Sequence, residues 1–334
     1  MKIAILSAIA WRTPPRNYGP WEQVASNIAE GLVLAGHDVT LFATQDSETE
    51  GKLDAVIARG YAEDPGVDAK VAECLHISNL MEKAGEFDLI HNHFDFLPLT
   101  YSKLCDAPML TTIHGFSSER IIPVYKKYNE STHYVSISNS DRHPDLNYLA
   151  TVYNGLKLSD FTFSPAPQDY LLFFGRIHPD KGTAEAIEIA LKSKKRLLIA
   201  GLIQDENYYN ERVKPFLNEE IVFLGNADAE KRQELLAHAL ALLHPIRFNE
   251  PFGLSVAESM LCGTPVIAFD RGSMPELIRH GETGFLVGGV DDAVEAVQML
   301  PGIDRKSCNL WASSQFSQEK MVNDYIECYK SVLG

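Results

Sequence analysis

Two kinds of apolar spacing alternate along this chain. Short runs in which most residues are apolar fall at 2–7, 38–43, 55–58, 88–92, 109–113, 134–137 and 150–153, the signature of buried strands. Elsewhere apolar positions recur every three or four residues, as Val24, Ala25, Ile28 and Leu32 do over 21–35, where Gly36 then offers a helix stop. The spacing predicts further helices over 68–83, 96–104 and 118–128, the last kinked or divided by Pro123. Strands alternating with helices in this order predict a parallel, doubly wound sheet.

The rhythm pauses at Asn154-Gly155 and at Ser164-Pro165-Ala166-Pro167, which are rich in turn formers, and then restarts. Strands are expected at 170–174, 196–200, 221–224, 240–244, 265–268 and 284–287, with helices between them. A chain of 334 residues suits two domains of about 150 residues each. The expected division is 1–163 and 164–303, with a helical tail over 304–334 that packs back toward the first domain.

Charge narrows the partners. A formal net charge of −15 disfavours nonspecific binding to nucleic acid or to an anionic membrane, both of which need a basic surface. Five scattered cysteines, none in a C-x-x-C pair, point to free thiols and a cytoplasmic location rather than to a disulfide or zinc framework. The N-terminal apolar run is too short for a signal peptide, and no run reaches membrane-spanning length.

Chemistry concentrates in the second half. Glu250 stands in a Pro/Gly-containing loop after the 240–244 strand, and Glu258 stands inside the helix that follows. In an open α/β sheet that loop lies at the carboxyl ends of the strands, where ligands bind. Arg176 and Lys181, on a glycine-flanked loop after the 170–174 strand, suit a diphosphate: a planar fork of donors and a point charge. Gly253 leaves room for a phosphate to approach the helix backbone behind it.

Here the chain resembles the retaining glycosyltransferases of family 4, which have the GT-B architecture: two Rossmann-like parallel-sheet domains facing a central cleft. The matching residues are Gly175-Arg176 with Lys181-Gly182, Glu250-Pro251-Phe252-Gly253 with Glu258, residues 268–272 followed by Pro275-Glu276, and Gly281 with residues 284–287. First-half matches are Gly19, residues 88–91, Thr112-Ile113-His114-Gly115 and Asn154-Gly155. The resemblance implies a hexosyltransferase that takes a nucleoside diphosphate sugar, UDP-glucose or GDP-mannose in class, and needs no essential metal or other cofactor. It implies that Glu258 holds the ribose and that Glu250 contacts the donor sugar, helped by backbone at Pro251, Phe252, Gly253 and Leu254. Arg176 and Lys181 would neutralise the leaving diphosphate, His114 would reach the sugar near the reacting carbon, and the segment containing Phe223 and Leu224 would place the base. Catalysis would thus rest on His114, Arg176, Lys181 and Glu250.

One departure stands out. The family's first strand-to-helix loop commonly carries a Gly-Gly turn, whereas here Gly19 precedes Pro20, which lacks an N–H, so a phosphate contact at Gly19 is left open. Acceptor candidates on and near this loop are Trp11, Arg12, Tyr18 and Glu22, with His91 on a later strand, for a small-molecule or glycan acceptor. His91 and His93 share a strand face without a third ligand at sensible spacing, which reads as a polar pair facing the cleft rather than a metal site. A sugar-nucleotide epimerase of the same architecture is the alternative. A dinucleotide oxidoreductase is disfavoured because no G-x-G-x-x-G turn follows either first strand. Association as a homodimer is left open.

Overall fold

The computed structural model describes residues 1–16 and 18–334. It divides into two compact units, Met1–Leu156 with Gln318–Gly334, and Lys157–Ser317. Each is built on one parallel sheet.

In the first unit the strands are β1 (Lys2–Leu6), β2 (Asp38–Thr44), β3 (Lys52–Ile57), β4 (Leu89–Asn92), β5 (Met109–Ile113), β6 (His133–Ser136) and β7 (Tyr148–Thr151). Their order in the sheet is β3-β2-β1-β4-β5-β6-β7. The order reverses between β1 and β4, so the crevice at their carboxyl ends is the switch point where such sheets bind ligands. The helices are α1 (Pro20–Leu34), α2 (Ala69–Met81) and α3 (Ile122–Tyr128). The expected helix over 96–104 is instead a 3-10 turn over Leu97–Tyr101, with Pro98 at its start and no apolar stripe long enough to carry it further. At Pro123 the expected division occurs, a 3-10 turn over Glu119–Ile121 giving way to α3.

The second unit has β8 (Leu171–Phe174), β9 (Leu197–Ala200), β10 (Ile221–Phe223), β11 (Ala241–His244), β12 (Val266–Phe269) and β13 (Gly284–Val287), in the order β10-β9-β8-β11-β12-β13. Its helices are α4 (Thr183–Ser193), the short α5 (Glu206–Tyr208), α6 (Ala229–His238), α7 (Leu254–Leu261), the short α8 (Met274–Leu277), α9 (Val290–Met299) and α10 (Arg305–Gln315). Its switch point lies between β8 and β11. Leu171, Phe173, Ile199, Leu243 and Ile267 are buried in its core, as continuous apolar strand runs demand of a sheet covered on both faces.

The tail divides differently from expectation. The first boundary falls at 156/157 rather than 163/164, and only α11 (Gln318–Leu333) joins the first unit. There Gly31 of α1 lets the helices close up, since a β-carbon at Gly31 would sit 2.4 Å from Val322 Cγ2. Residues 305–315 stay with the second unit because the buried Arg305 guanidinium donates to the Ser164 carbonyl at 2.8 Å, the Ala239 carbonyl at 2.9 Å, the Ala237 carbonyl at 2.6 Å and Thr264 Oγ1 at 2.7 Å.

Arg305→Met would bury those acceptors without a donor. It should destabilise the second unit by about 3–5 kcal/mol in denaturant unfolding. A loss below about 1 kcal/mol would show that the carbonyls find water instead.

Candidate active site

Two loops meet at the switch point of the second unit. The loop after β8 runs through Gly175 and Arg176 into a 3-10 turn, Pro179–Lys181, and Gly182 then starts α4 in a left-handed conformation. A β-carbon at Gly182 would lie 1.9 Å from the Pro245 carbonyl oxygen, so glycine is what lets this loop press against the one after β11. The Arg247 N–H donates to the Asp180 carbonyl at 2.7 Å and ties the loops together. The result is an ion pair: Lys181 Nζ donates to Glu250 Oε2, and the ammonium also lies 4.7 Å from the Phe248 ring centre. Lys181 and Glu250 are both mostly buried. Arg176 lies on the same loop, paired with Gln204 Oε1.

His244, at the end of β11, places Nε2 3.9 Å from Glu250 Oε2. Burial pushes its pKa down to about 4, so it faces the carboxylate as a neutral ring. From the other side, a β-carbon at Gly272 would collide with the backbone of Glu250, and Ser273 braces the turn with Oγ donating to the Phe252 carbonyl at 2.7 Å. Gly253, at φ 92°, starts α7 with no side-chain cap, as Gly182 does for α4. One turn on, Glu258 is buried with Oε1 3.3 Å from Arg232 on α6. Arg232 was not among the candidates, because a helix arginine distant in sequence carries no motif.

Phe252 packs its ring against Phe316, Phe223 packs on Tyr209 at the sheet edge, and Pro251 and Leu254 are half-buried. Leu224 is exposed, its N–H held by the Ile199 carbonyl.

In the first unit, the loop after β1 places Trp11, Tyr18 and Glu22 on one cavity of about 440 Å³ at the switch point between β1 and β4. Gly19 (φ 151°) starts α1, and Glu22, buried in its first turn, accepts from the Trp11 N–H at 3.1 Å. Trp21 stacks on His114, ring centres 5.6 Å apart. His114 Nε2 is 2.9 Å from His93 Nδ1, and burial pushes the His114 pKa down to about 3. Among the described residues no group of three or more His, Cys, Asp or Glu is arranged to hold a metal, and no helix is long and apolar enough to cross a membrane.

Two models of known families match, one of glycosyl transferases group 1 over residues 157–300 and one of glycosyltransferase family 4 over residues 21–154. The chain is a glycosyltransferase of the family 4 type. Relatives include an uncharacterized glycosyltransferase of Methanocaldococcus jannaschii, 24% identical over 345 residues that span 86% of this chain and 85% of that one. An uncharacterized 41.2 kDa protein in the cps region of Klebsiella pneumoniae is 32% identical over 171 residues, 48% of this chain and 46% of that one. Among solved structures, Anabaena HepE in complex with UDP and glucose has a TM-score of 0.77 at 20% identity, covering 99% of this chain and 100% of that one. Two Rossmann-like parallel-sheet domains of the GT-B class are thus the fold of this transferase.

Two acceptor candidates of this glycosyltransferase need correction. His91 is fully buried in β4, with Nδ1 2.7 Å from Tyr329 Oη and Nε2 2.8 Å from Thr112 Oγ1. Both ring nitrogens are engaged inside the unit, so it is a structural link between β4, β5 and α11 and not a polar group facing a cleft. Arg12 is buried and turned toward Glu48, with Nη2 2.9 Å from Oε1, and does not line the cavity. Strand alternation predicts a shared face but not whether that face meets solvent or a helix.

Glu22 carries a measurable signature. Burial pushes its pKa up to about 7, against the Trp11 N–H, which lowers it, and Glu63, which adds to the rise. The folded state therefore holds this proton over a range where the unfolded chain has released it, so stability falls as pH rises from about 4.5 to 7. Glu22→Gln should gain on wild type across that window by up to about 3 kcal/mol, read as a melting-temperature difference that grows with pH. A difference independent of pH would mean that Glu22 ionises as a surface carboxylate does.

Proposed function

We propose that this glycosyltransferase moves a hexose from a nucleoside diphosphate sugar to a hydroxyl acceptor with retention of anomeric configuration. The observation that carries the reading is the set of positive groups at the second switch point: Arg176 and Lys181 beside α4 and α7, whose first turns lack side-chain caps. A helix N-terminus without a cap leaves backbone N–H groups for an anion, and its dipole favours one. A diphosphate satisfies all of these groups together.

Each residue then takes a part. Arg176 and Lys181 bind the diphosphate, Lys181 exchanging some of its hold on Glu250 for phosphate oxygen. Glu258, oriented by Arg232, accepts from the ribose hydroxyls, and Glu250 accepts from hydroxyls of the donor sugar. Cleavage of the sugar–phosphate bond puts cationic character on the sugar and extra negative charge on the diphosphate, so these cations act more strongly on the transition state than on the bound donor. The leaving phosphate takes the acceptor's proton on the same face, which gives retention with Glu250 as a positioning group. His114 would act as a neutral hydrogen-bonding group, since burial keeps it unprotonated at neutral pH. The UDP and glucose in the HepE complex support a nucleotide donor, with uridine and guanosine diphosphates the two classes to compare. Five free cysteines agree with a reducing cytoplasm.

Lys181→Ala and Arg176→Ala should each lower turnover by about 100-fold or more, roughly 3 kcal/mol, and Glu258→Gln should raise the donor KM. The measurement is nucleotide release with UDP-glucose and GDP-mannose across an acceptor panel, with the product anomer read by NMR. Near-normal turnover in both cation variants would sink the diphosphate assignment. Incubation with donor alone separates the epimerase reading, since an epimerase yields a new sugar nucleotide and a transferase yields slow hydrolysis.

A further inference from the structure

The cavity of the first unit has walls of two kinds. Rings of Trp11, Tyr18, Trp21, Tyr61, Phe94 and Phe96 supply flat faces, while Glu22, Glu73 and Asp95 supply carboxyl groups. No lysine, arginine or histidine lines it among the described residues. The nearby arginines of the β1 loop are matched by acids elsewhere, Arg12 by Glu48 at 2.9 Å and Arg16 by Asp46 at 3.4 Å and Glu63 at 3.6 Å.

Asp95 marks the site independently. It holds φ 90°, a left-handed conformation that costs a non-glycine residue strain, and such strain persists where the surroundings over-determine it. Here they do: Asn92 Nδ2 donates to the Asp95 carbonyl at 2.8 Å, and the buried Tyr125 hydroxyl donates to its Oδ1. The side chain is thereby fixed on the cavity wall. At about 440 Å³ the space is of small-molecule size.

We propose that this cavity receives the acceptor, and that the acceptor is a hydroxylated ring without an anionic group: an unphosphorylated sugar or cyclic polyol. The inference rests on the transferase reading above and specifies its second substrate. Carboxyl groups accept hydrogen bonds in either protonation state and donate only when protonated, so they favour a ligand with hydroxyl groups, which can do both. Aromatic faces cover the C–H surface of a saturated ring, as they cover other apolar surface. A phosphate ester would meet three acids and no cation, and the uncapped start of α1 on this wall offers it little, since Pro20 has no N–H and Glu22 stands in the first turn. Burial already raises the pKa of Glu22 and Asp95, to about 7 and about 6, so the site disfavours charge even on its own acids.

Two of the three tryptophans lie on this wall, so intrinsic fluorescence reports on it directly. The test titrates the whole protein, saturated with UDP or GDP, with glucose, mannose, N-acetylglucosamine and myo-inositol, each against its monophosphate. A fluorescence change with at least one neutral member, binding tenfold or more tighter than its phosphate ester, supports the proposal. Glu73→Lys should shrink that preference tenfold or reverse it, and Trp21→Phe should weaken the signal while leaving the preference. Tighter binding of a phosphorylated member, or no binding of any neutral one, overturns it. Thermal stabilisation by UDP or GDP, measured in parallel, reports on the donor site alone, so failure of the donor reading is seen separately from failure of the acceptor inference.

Discussion

Between the loops that follow β8 and β11 there is no room for a β-carbon, and the Lys181–Glu250 ion pair depends on that contact. Gly182 meets the Pro245 carbonyl on one side, and Gly272 meets the Glu250 backbone on the other. Both glycines hold positive φ, so a side chain at either position would be strained as well as crowded. Because Lys181 is the residue before Gly182, the close approach delivers its ammonium to Glu250 without a long search by a flexible side chain. The ion pair is therefore a product of backbone packing. Its two charges come from segments 69 residues apart in the chain, each anchored to a strand on one side of the switch point.

A different constraint orders the first unit. Tyr325 and Tyr329 of α11 bring their hydroxyls to Thr112 and His91, so a helix from the end of the chain supplies the hydrogen bonds of two central strands. His93 and His114 continue the row toward Trp21. Burial lowers the pKa of all three histidines, with neighbouring histidines adding to the shift for His91 and His93, so the row is neutral near pH 7. A neutral row can position Trp21 on the cavity of the first unit without adding positive charge to it.

Much of this was legible in the residues. Each apolar run expected as a strand became one; the central strands, buried on both faces, need continuous apolar sequence, while β3 and β7 at the sheet edge are partly exposed. The β3 and β7 bounds shifted toward the N-terminus by a few residues, since those are edge strands where one ladder partner is missing. Glu250, Lys181 and Arg176 were visible because glycine and proline fix their loops. Glu73 and Asp95 were not visible: one lies on a helix with an unremarkable pattern, the other in a turn after β4, and only the fold sets them opposite Glu22. His91 misled because period-two alternation cannot say that α11, more than 230 residues on, covers that face.

One topology has thus been given two different electrostatic characters. Both sheets reverse their strand order, and both carry a loop and helix start at the reversal, so location alone offers each unit a ligand crevice. What separates them is the residue set beside the strand ends: Arg176 and Lys181 set against Glu250 and Glu258 in one unit, three acids and six rings without a cation in the other. A net charge of −15 does not oppose the proposed dianionic donor, because field at short range is set by the nearest fixed groups while distant surface acids are screened by salt. The same reasoning turns the acidic cavity away from phosphate. On the proposed assignments, two substrates of unlike charge are sorted by local chemistry, which lets a pair of similar folds serve a reaction between unlike partners.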